Sequence, residues 1–251
     1  TDTLEFQNIT YSTYFRAIVR NGVCNQTPST SVGVSVIDAS DAGTLSGSVT
    51  VCESSNSGVV IVNNNVGSIV KWQYANKNTS GWIDISTISN SVSWSSLSDT
   101  TEYRVIVSNQ GCTPDTSAPI AINVNKFSES GYHIGDDHVC EGTNSGQIKL
   151  LGYLGDIKKW EYSTTGFAPW LDAVNNSDSL SFVNLTTDLF FRAVVQNGVC
   201  SQVKSSPFKV QVDVSSDGGI VLNDAKVCSG SNYGLMSLNS NIGSVKFWEK
   251  S

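Results

Sequence analysis

The sequence has little charge, and the charge it carries is mostly negative. It has 22 acidic and 15 basic residues among 251, which gives a net charge of -7 at pH 7 and a pI near 4.7. A chain of this sign does not suit a phosphate backbone or an anionic lipid surface. Nucleic acids and acidic membranes are therefore disfavoured as partners. No apolar run approaches the roughly 20 residues of a membrane-spanning helix, and neither a starting Met nor a signal peptide is present.

The residues and motifs of catalytic or metal sites are also scarce. The only histidines are His133 and His138, and no two cysteines lie three positions apart as they do in zinc sites. No nucleophile elbow, phosphate-binding loop or calcium loop is present. The acidic stretch Asp136-Asp137-His138 is better explained as a solvated loop than as a calcium site. We therefore expect no enzyme activity, no bound metal and no cofactor.

What the sequence does contain is a gapless repeat of 88 residues. Residues of unrelated types recur at this spacing. The period therefore defines the structural unit before any strand is assigned. The repeated positions include Cys24, Cys112 and Cys200; Cys52, Cys140 and Cys228; Trp72, Trp160 and Trp248; and Arg16, Arg104 and Arg192.

The period divides the chain into two complete repeats and two partial ones. Residues 1–38 form the C-terminal part of a repeat, and residues 39–126 and 127–214 form complete repeats. Residues 215–251 form the N-terminal part of a further repeat. A partial repeat lacks half of the strands needed to bury a core. The sequence is therefore expected to be a segment of a longer array.

Each repeat is expected to be all-β. In residues 39–126, apolar-alternating runs are separated by clusters of Ser, Asn and Gly, which is the spacing of a β-sandwich, and no helical period is present. The pattern predicts an immunoglobulin-like sandwich of seven strands per 88-residue repeat. The predicted strands are 48–52, 58–63, 68–75, 82–86, 92–97, 102–108 and 119–125.

The third predicted strand carries the repeated tryptophan. Trp72, Trp160 and Trp248 are predicted to be core residues, because large aromatic side chains supply much of the burial in a small sandwich. Strand alternation places Ile69 on the opposite face from Trp72. In the fifth strand Trp94, Phe182 and Phe6 share one phase, which also indicates packing rather than a carbohydrate platform.

The six cysteines predict disulfides, which form in oxidising compartments. The preferred pairs lie within a repeat, Cys52 with Cys112 and Cys140 with Cys200, leaving Cys24 and Cys228 for neighbouring repeats. In a sandwich of this type, however, the two positions usually lie at opposite ends. The alternative pairs are closer in sequence and span the repeat junctions: Cys24–Cys52, Cys112–Cys140 and Cys200–Cys228.

Several segments resemble the immunoglobulin-like repeats of giant cell-surface proteins in Bacteroidota, such as the SprB-type gliding-motility adhesins. The resemblance covers the whole chain and is carried by segments such as 51–58, 70–74, 81–85 and 191–200. It implies an adhesin that the type IX secretion system exports and that the gliding machinery moves along the cell. These systems, neighbouring repeats, and extracellular surfaces or polysaccharide are the implied partners.

The function expected from repetition is mechanical and adhesive. Tandem β-sandwiches form a stalk in which each unit adds a fixed increment of length, at the cell surface and outside the cell. Two alternatives remain. The repeats could be non-catalytic spacers in a secreted polysaccharide-degrading enzyme, or they could form a carbohydrate-binding array. A binding array would expose aromatic side chains in phase across the repeats.

Three short motifs match the O-glycosylation pattern of the same phylum, in which Asp precedes a modified Ser or Thr. They predict sugar on Thr3, Thr100 or Ser179, whereas the alternative is that these are ordinary turn residues. Intact-mass measurement of the protein from its native source tests the hypothesis. The predicted result is a mass above that of the polypeptide, and a mass equal to the polypeptide contradicts it.

Overall fold

The computed structural model describes residues 2–76 and 81–251. The chain forms two compact units, residues 1–125 and 126–251. The described residues form only strands, turns and loops, so the fold is all-β as predicted. None of them belongs to a helix with the length and apolar character required to cross a bilayer.

The partial repeat at the start of the chain forms four short strands. Two antiparallel pairs, β1 with β4 and β2 with β3, are all that it contains among its described residues. The strands are β1 (Thr13–Phe15), β2 (Ile18–Val19), β3 (Thr27–Pro28) and β4 (Val32–Val34).

The first complete repeat contains nine strands. They are β5 (Thr44–Ser46), β6 (Val49–Cys52), β7 (Ser57–Asn63), β8 (Ser68–Asn76), β9 (Ile83–Ile85), β10 (Ser91–Ser95), β11 (Thr101–Ser108), β12 (Asp115–Thr116) and β13 (Ile120–Asn125).

These strands form the two sheets of an immunoglobulin-like sandwich. One sheet has the order β10-β7-β5, and the other has the order β6-β13-β11-β8-β9 with β12 beside β11. The pairing of β6 with β13 is parallel, whereas the other pairs are antiparallel. The first strand therefore begins in one sheet, as β5, and ends in the other, as β6, next to the last strand.

The second complete repeat has the same topology. Its sheets have the orders β14-β16-β19 and β15-β22-β20-β17-β18, with β21 beside β20, and β15 runs parallel to β22. Its strands are β14 (Glu129–Gly135), β15 (His138–Cys140), β16 (Ser145–Leu154), β17 (Asp156–Ser163), β18 (Leu171–Ala173), β19 (Ser179–Val183), β20 (Leu189–Gln196), β21 (Val203–Lys204) and β22 (Phe208–Asp213).

The partial repeat at the end of the chain contributes one hairpin to the described structure. Its strands are β23 (Ile220–Leu222) and β24 (Ser237–Asn239), which pair antiparallel.

All seven strands predicted for residues 39–126 are present, within two residues at each end. The structure adds β5 and the two-residue β12. The first strand is longer than predicted and is interrupted at Gly47, whose φ of 115° requires a residue without a side chain. This interruption lets the chain change sheets between β5 and β6.

The repeated tryptophan lies at the centre of each complete sandwich. Trp72 and Trp160 are both 0% exposed. Each indole N–H donates a 2.9 Å hydrogen bond to a backbone carbonyl, that of Ser89 and that of Ser177 respectively. The expectation for Trp248 is wrong, since this side chain is 56% exposed. The strands described in residues 215–251, β23 and β24, leave this indole uncovered.

The predicted orientation of Ile69 is also wrong. Ile69 and Trp72 both face the core, because β8 contains a bulge opposite Ile106 and Val107. The extra residue shifts the alternation by one position. The second repeat has the same irregularity in β17, between Ile157 and Lys159.

Gly58 and Gly146 are needed for a steric reason. A Cβ atom at Gly58 would overlap the ring of Trp94, and one at Gly146 would overlap the ring of Phe182. Neither glycine has a positive φ, so close approach of an aromatic side chain, rather than backbone freedom, explains the repeated glycine. In the partial repeat at the C-terminus, the matching Gly234 has no atom within 4 Å of such a Cβ.

We predict that Gly58→Ala lowers the free energy of unfolding by about 1–3 kcal/mol, because the added methyl group overpacks the core. Gly234→Ala is the matched control and should leave stability unchanged. Chemical denaturation of the two variants and the parent protein measures the difference. Equal stability of all three proteins would show that Trp94 does not pack on Gly58.

Candidate functional site

Each complete repeat has two distinct ends, and the repeated polar residues concentrate there. We call the end at which the chain enters the repeat the leading end. There, the loop after the sixth predicted strand forms hydrogen bonds with the entering segment of the chain. Asn109 donates a 2.9 Å hydrogen bond from its side chain to the carbonyl of Asp38, and its backbone N–H bonds to Ser40 Oγ at 2.9 Å. In the second repeat, Asn197 makes the same two bonds, to Lys126 and Ser128.

One cysteine of each repeat lies in this leading loop, and we call it the leading cysteine. The backbone N–H of Cys112 bonds to the Asn109 carbonyl at 2.8 Å, and its Sγ lies 3.6 Å from the Asp38 carbonyl oxygen. In the second repeat, Cys200 Sγ lies 3.2 Å from the Lys126 carbonyl oxygen. The leading cysteine is therefore next to the residue that immediately precedes its repeat.

The other cysteine, the trailing cysteine, lies at the opposite end. Cys52 is the last residue of β6 and is paired with Asn125, and the N–H of Glu53 bonds to the Asn125 carbonyl at 2.9 Å. In the second repeat, Cys140 is paired in the same way with Asp213. The trailing cysteine is therefore next to the last residue of the last strand of its repeat.

A half-buried asparagine fixes the backbone of the trailing cysteine. The Asn56 side chain donates to the carbonyls of Cys52 and Leu97, at 2.7 and 2.8 Å, and accepts from the Leu97 N–H at 2.8 Å. Asn144 repeats these contacts with Cys140 and Leu185. The amide uses both of its polar atoms, so this position requires Asn and not only a small polar residue.

The preferred disulfide pairs, Cys52–Cys112 and Cys140–Cys200, are absent. Cys52 and Cys200 are disulfide-bonded, whereas the remaining four cysteines are free thiols: Cys24, Cys112, Cys140 and Cys228. The junction-spanning alternative is also absent, since both members of its middle pair, Cys112 and Cys140, are free.

Strand direction explains why pairing within a repeat fails. Cys52 pairs with Asn125 of β13. Earlier on β13, Ile122 pairs with Thr101, the first residue of β11, so Cys52 lies near the start of β11. Cys112 follows the far end of that eight-residue strand. At about 3.3 Å per residue the strand spans about 23 Å, whereas a disulfide requires Cα atoms within about 7 Å.

The face between the two ends carries a second repeated cluster. The guanidinium of Arg104 stacks on the Trp82 ring, 4.1 Å from its centroid, and Arg104 Nε donates to Gln73 Oε1 at 2.7 Å. Asp84 accepts hydrogen bonds from Gln73 at 2.6 Å and Lys71 at 2.7 Å, which hold its pKa below the ordinary value. Cross-strand pairs of this kind stabilise the outer face of a sheet.

The second repeat keeps this arrangement but replaces the glutamine with an acid. Arg192 stacks on Trp170 at 3.8 Å, and Glu161 lies within 3.0 Å of Lys159 and 2.7 Å of Arg192. Burial opposes ionisation of Glu161, but hydrogen bonds from Lys159 and Arg192 and the charge of Lys204 outweigh it and lower the pKa of this carboxyl. The buried carboxylate is therefore paired rather than exposed to a ligand.

The histidines occupy different surroundings. His133 packs 5.5 Å from the Trp160 ring and 5.7 Å from the Phe208 ring, and its Nε2 lies 3.1 Å from Ser205 Oγ. His138 lies on the surface, 3.5 Å from Asp213. Within residues 2–76 and 81–251, no group of three His, Cys, Asp or Glu side chains could hold a metal ion.

The three predicted glycosylation positions differ in their surroundings. Thr3 is exposed. Thr100 is half-buried, and its Oγ1 accepts a 3.2 Å hydrogen bond from the Val124 N–H. Ser179 is half-buried and donates a 3.0 Å hydrogen bond to Asp178.

A family profile described as "Domain of unknown function (DUF8696)" matches residues 41–126 and 129–214. The chain belongs to this family and contains two copies of its domain in tandem. No curated protein matches the sequence.

The chain is similar, at low sequence identity, to several solved structures. A segment of titin is 16% identical, with 73% of this chain and 71% of that chain covered and a TM-score of 0.45. Domains FN1–FN3 of chicken CNTN1 are 11% identical, with 80% and 75% covered and a TM-score of 0.33. A marsupial T cell receptor is 13% identical, with 72% and 77% covered and a TM-score of 0.43.

We predict that the second repeat loses stability as the pH falls below 6.5. Burial lowers the pKa of His133 from its ordinary value of 6.5, so the folded repeat binds fewer protons than the unfolded chain in this range. The associated stability is complete above pH 6.5 and is lost as the pH falls through the lower, folded-state pKa.

Thermal unfolding of the full chain and of His133→Leu, at pH 7.5 and pH 5.5, measures this effect. Leu45 occupies the matching position in the first repeat, so the substitution suits the fold. The parent protein should lose more stability between the two pH values than the variant. Identical losses would show that His133 is not protonated on unfolding.

Proposed function

We propose that this member of the family is a load-bearing segment of an extracellular stalk, in which tandem immunoglobulin-like domains transmit tension between a cell and a distal attachment. The observation that carries the proposal is the parallel pairing of the first and last strands in each complete repeat. In the first repeat this pairing runs from Val49 opposite Ile122 to Cys52 opposite Asn125.

Parallel pairing places the hydrogen bonds of these strands in shear. The chain begins the repeat at the leading end, where Asn109 holds Asp38, and leaves it after Asn125 at the trailing end. Tension therefore pulls β6 and β13 in opposite directions along their common axis. Bonds arranged across that axis are loaded together instead of opening one at a time. In the second repeat β15 and β22 have the same geometry.

The repeated polar residues support a structural role without catalysis. Asn56 and Asn109 bond to backbone groups at the two ends, and Arg104 covers Trp82 between them. These are the side chains that the period preserves, and each is committed to a contact within its own repeat or with the residue that immediately precedes it. A repeated reactive site would preserve side chains that point to solvent.

The same cluster bears on the carbohydrate-binding alternative. Trp82 and Trp170 recur in phase on the sheet face, as an array of sugar platforms would require. Each ring is, however, covered by an arginine at about the distance of a stacking ligand. Sugar binding would have to displace the guanidinium, so the cation–π pair favours the stalk over the binding array.

Location outside the cell is supported by the disulfide-bonded cysteines, because disulfides persist in oxidising surroundings. The immunoglobulin-like fold is common in extracellular proteins. A role in gliding motility and export by type IX secretion are the finer form of the proposal, and these rest on the sequence resemblance alone. The spacer role in a secreted enzyme would use the same mechanics, and a catalytic domain in the same polypeptide would distinguish it.

The shear mechanism predicts the effect of proline in β6. The Glu53 N–H donates to the Asn125 carbonyl and therefore faces β13. Along a strand, successive N–H groups point to alternate sides, so the Val51 N–H also faces β13, whereas the Thr50 N–H points away from it. Val51→Pro should lower the force at which the first repeat unfolds, and the matched variant Thr50→Pro should change it much less. Single-molecule stretching in the presence of a reductant measures both.

Val51→Ala controls for loss of the packed side chain, and denaturant titration confirms that each variant is folded. If all the variants unfold at the parent force, β6 and β13 do not bear the load. If the parent repeats extend at negligible force, the stalk proposal itself is wrong.

A further inference from the structure

We infer that the first complete repeat binds one residue of an uncharged saccharide, in a cavity between the edges of its two sheets. The cavity has a volume of about 370 Å³, which is near the lower limit for small-molecule sites, roughly 300–1,000 Å³. Its walls come from β8, β9, β10 and the start of β11 with the loop before it. The cavity therefore lies where the edge strand β10 of one sheet approaches the edge strand β9 of the other.

An indole N–H without an acceptor belongs to a residue that lines this cavity. Trp94 is 6% exposed, and no group in residues 2–76 and 81–251 accepts a hydrogen bond from its Nε1. A buried polar group without a partner destabilises a fold. An oxygen atom of a bound ligand would supply the acceptor. Since β10 pairs with β7 alone, a small displacement of this edge strand is enough to open the nitrogen to the ligand.

The second complete repeat shows that packing alone does not require this donor. At the matching positions, Phe182 replaces Trp94 and Phe191 replaces Tyr103. The two phenylalanine rings are buried and stack with their centroids 6.1 Å apart. Three more lining positions lose polarity or charge in the second repeat: Ser95, Asp99 and Thr101 correspond to Val183, Thr187 and Leu189. The first repeat thus collects around one cavity several polar groups that the fold does not need.

The lining suits a molecule with apolar faces and a polar rim. The rings of Tyr74 and Tyr103 lie with their centroids 6.4 Å apart, and together with Trp94 they contribute apolar surface to the walls. Several serines, Asn76 and Asp99 also line the cavity. A sugar ring has the matching composition, because C–H groups cover its faces and hydroxyl groups surround its edge. A few polar groups in a largely apolar pocket orient such a ligand.

The charges and donors of the lining favour a neutral ligand that carries oxygen. Asp99 is the one charged residue among the described residues that line the cavity, so it repels an anion. A cation would leave the Trp94 N–H without an acceptor. Burial raises the pKa of Tyr103, and the neighbouring Tyr74 adds to this effect. The Tyr103 phenol therefore keeps its proton at neutral pH and can donate it to a hydroxyl or ring oxygen.

A buried threonine orders the polar side of the cavity. Thr101 is 1% exposed, and its Oγ1 lies 2.7 Å from Asn76 Oδ1 and 2.9 Å from the Asp99 carbonyl oxygen. These contacts hold Asn76 and the backbone of Asp99 in place. Preorganised polar groups bind a ligand with a smaller loss of conformational entropy.

This site differs from the carbohydrate-binding array considered above, because an array would repeat the same platform in each unit, whereas these lining residues are not repeated. The inference goes beyond the stalk role and does not depend on it. Binding is measured without force, so its failure and the failure of the stalk proposal are distinguishable.

Titration followed by proton–nitrogen NMR tests the site through the indole N–H signals. The chain has six tryptophans, and the Trp94 signal is the one that Trp94→Phe removes. The probes are the methyl glycosides of glucose, galactose, mannose and N-acetylglucosamine. At least one of them should shift the Trp94 signal until saturation and leave the signals of Trp160 and Trp170 in place. If none of these glycosides shifts the Trp94 signal, the inference is overturned.

Three variants locate the bound glycoside, and calorimetry measures its affinity. Trp94→Phe and Tyr103→Phe introduce the residues that the second repeat has at these positions, so both variants should fold. Each should weaken binding roughly tenfold, because one hydrogen bond to the ligand is lost. The matched control Trp82→Phe changes an indole on the outer sheet face and should leave the affinity unchanged. Binding that is lost in Trp82→Phe and kept in Trp94→Phe would place the sugar on the outer face and contradict the inference.

Charged probes test the class of ligand. Methyl glucuronide, an anion, should bind more weakly than methyl glucoside, and Asp99→Asn should reduce this difference because it removes the repelling charge. Choline, a cation without an acceptor for the Trp94 N–H beyond its single hydroxyl, should not saturate the shift of the Trp94 signal. Tighter binding of methyl glucuronide or choline than of every neutral glycoside would overturn the assignment to an uncharged saccharide.

Discussion

The parallel contact between the first and last strands is the constraint on which the rest of each repeat depends. It requires the first strand to change sheets, and Gly47 makes that change possible. It also requires the chain to begin a repeat at one end and leave it at the other, because β6 and β13 run in the same direction. A domain with this property carries the chain from one end of the sandwich to the other. The same constraint acts on every repeat, which accounts for an 88-residue period without insertions.

The polar residues preserved by the period hold the strands in place at three levels of the sandwich. Asn109 ties the incoming chain at the leading end, and Asn56 ties the turn after β6 at the trailing end. Between them, Arg104 joins two strands of the outer face through its contacts with Gln73 and Trp82. The hydrogen bonds of Asn56 and Arg104 satisfy polar groups that would otherwise be partly buried without a partner. The remaining surface is free to differ between repeats, which is a property of a scaffold.

Much of this architecture could be predicted from the sequence, because period, strand alternation and turn residues are local signals. The seven strands of residues 39–126 and the sandwich itself follow from them. The orientation of Ile69 does not, since the bulge in β8 is set by pairing with the distant β11. The cysteine pairs could not be predicted either, because pairing depends on which end of the sandwich each cysteine occupies. The exposure of Trp248 also escapes prediction, because the period marks a core position but does not supply the strands that bury it.

Native-state hydrogen exchange tests the central claim, that β6 and β13 close each sandwich, without applying force. The amide of Glu53, which bonds to the Asn125 carbonyl, and the inward-facing amides of β6 are the reporters. If the two strands close the sandwich, these amides exchange only when the whole repeat unfolds, at the same free energy as the amides of β8 and β11 around Trp72. Exchange of these amides at the rate of a frayed edge strand, while β8 and β11 stay protected, would contradict it.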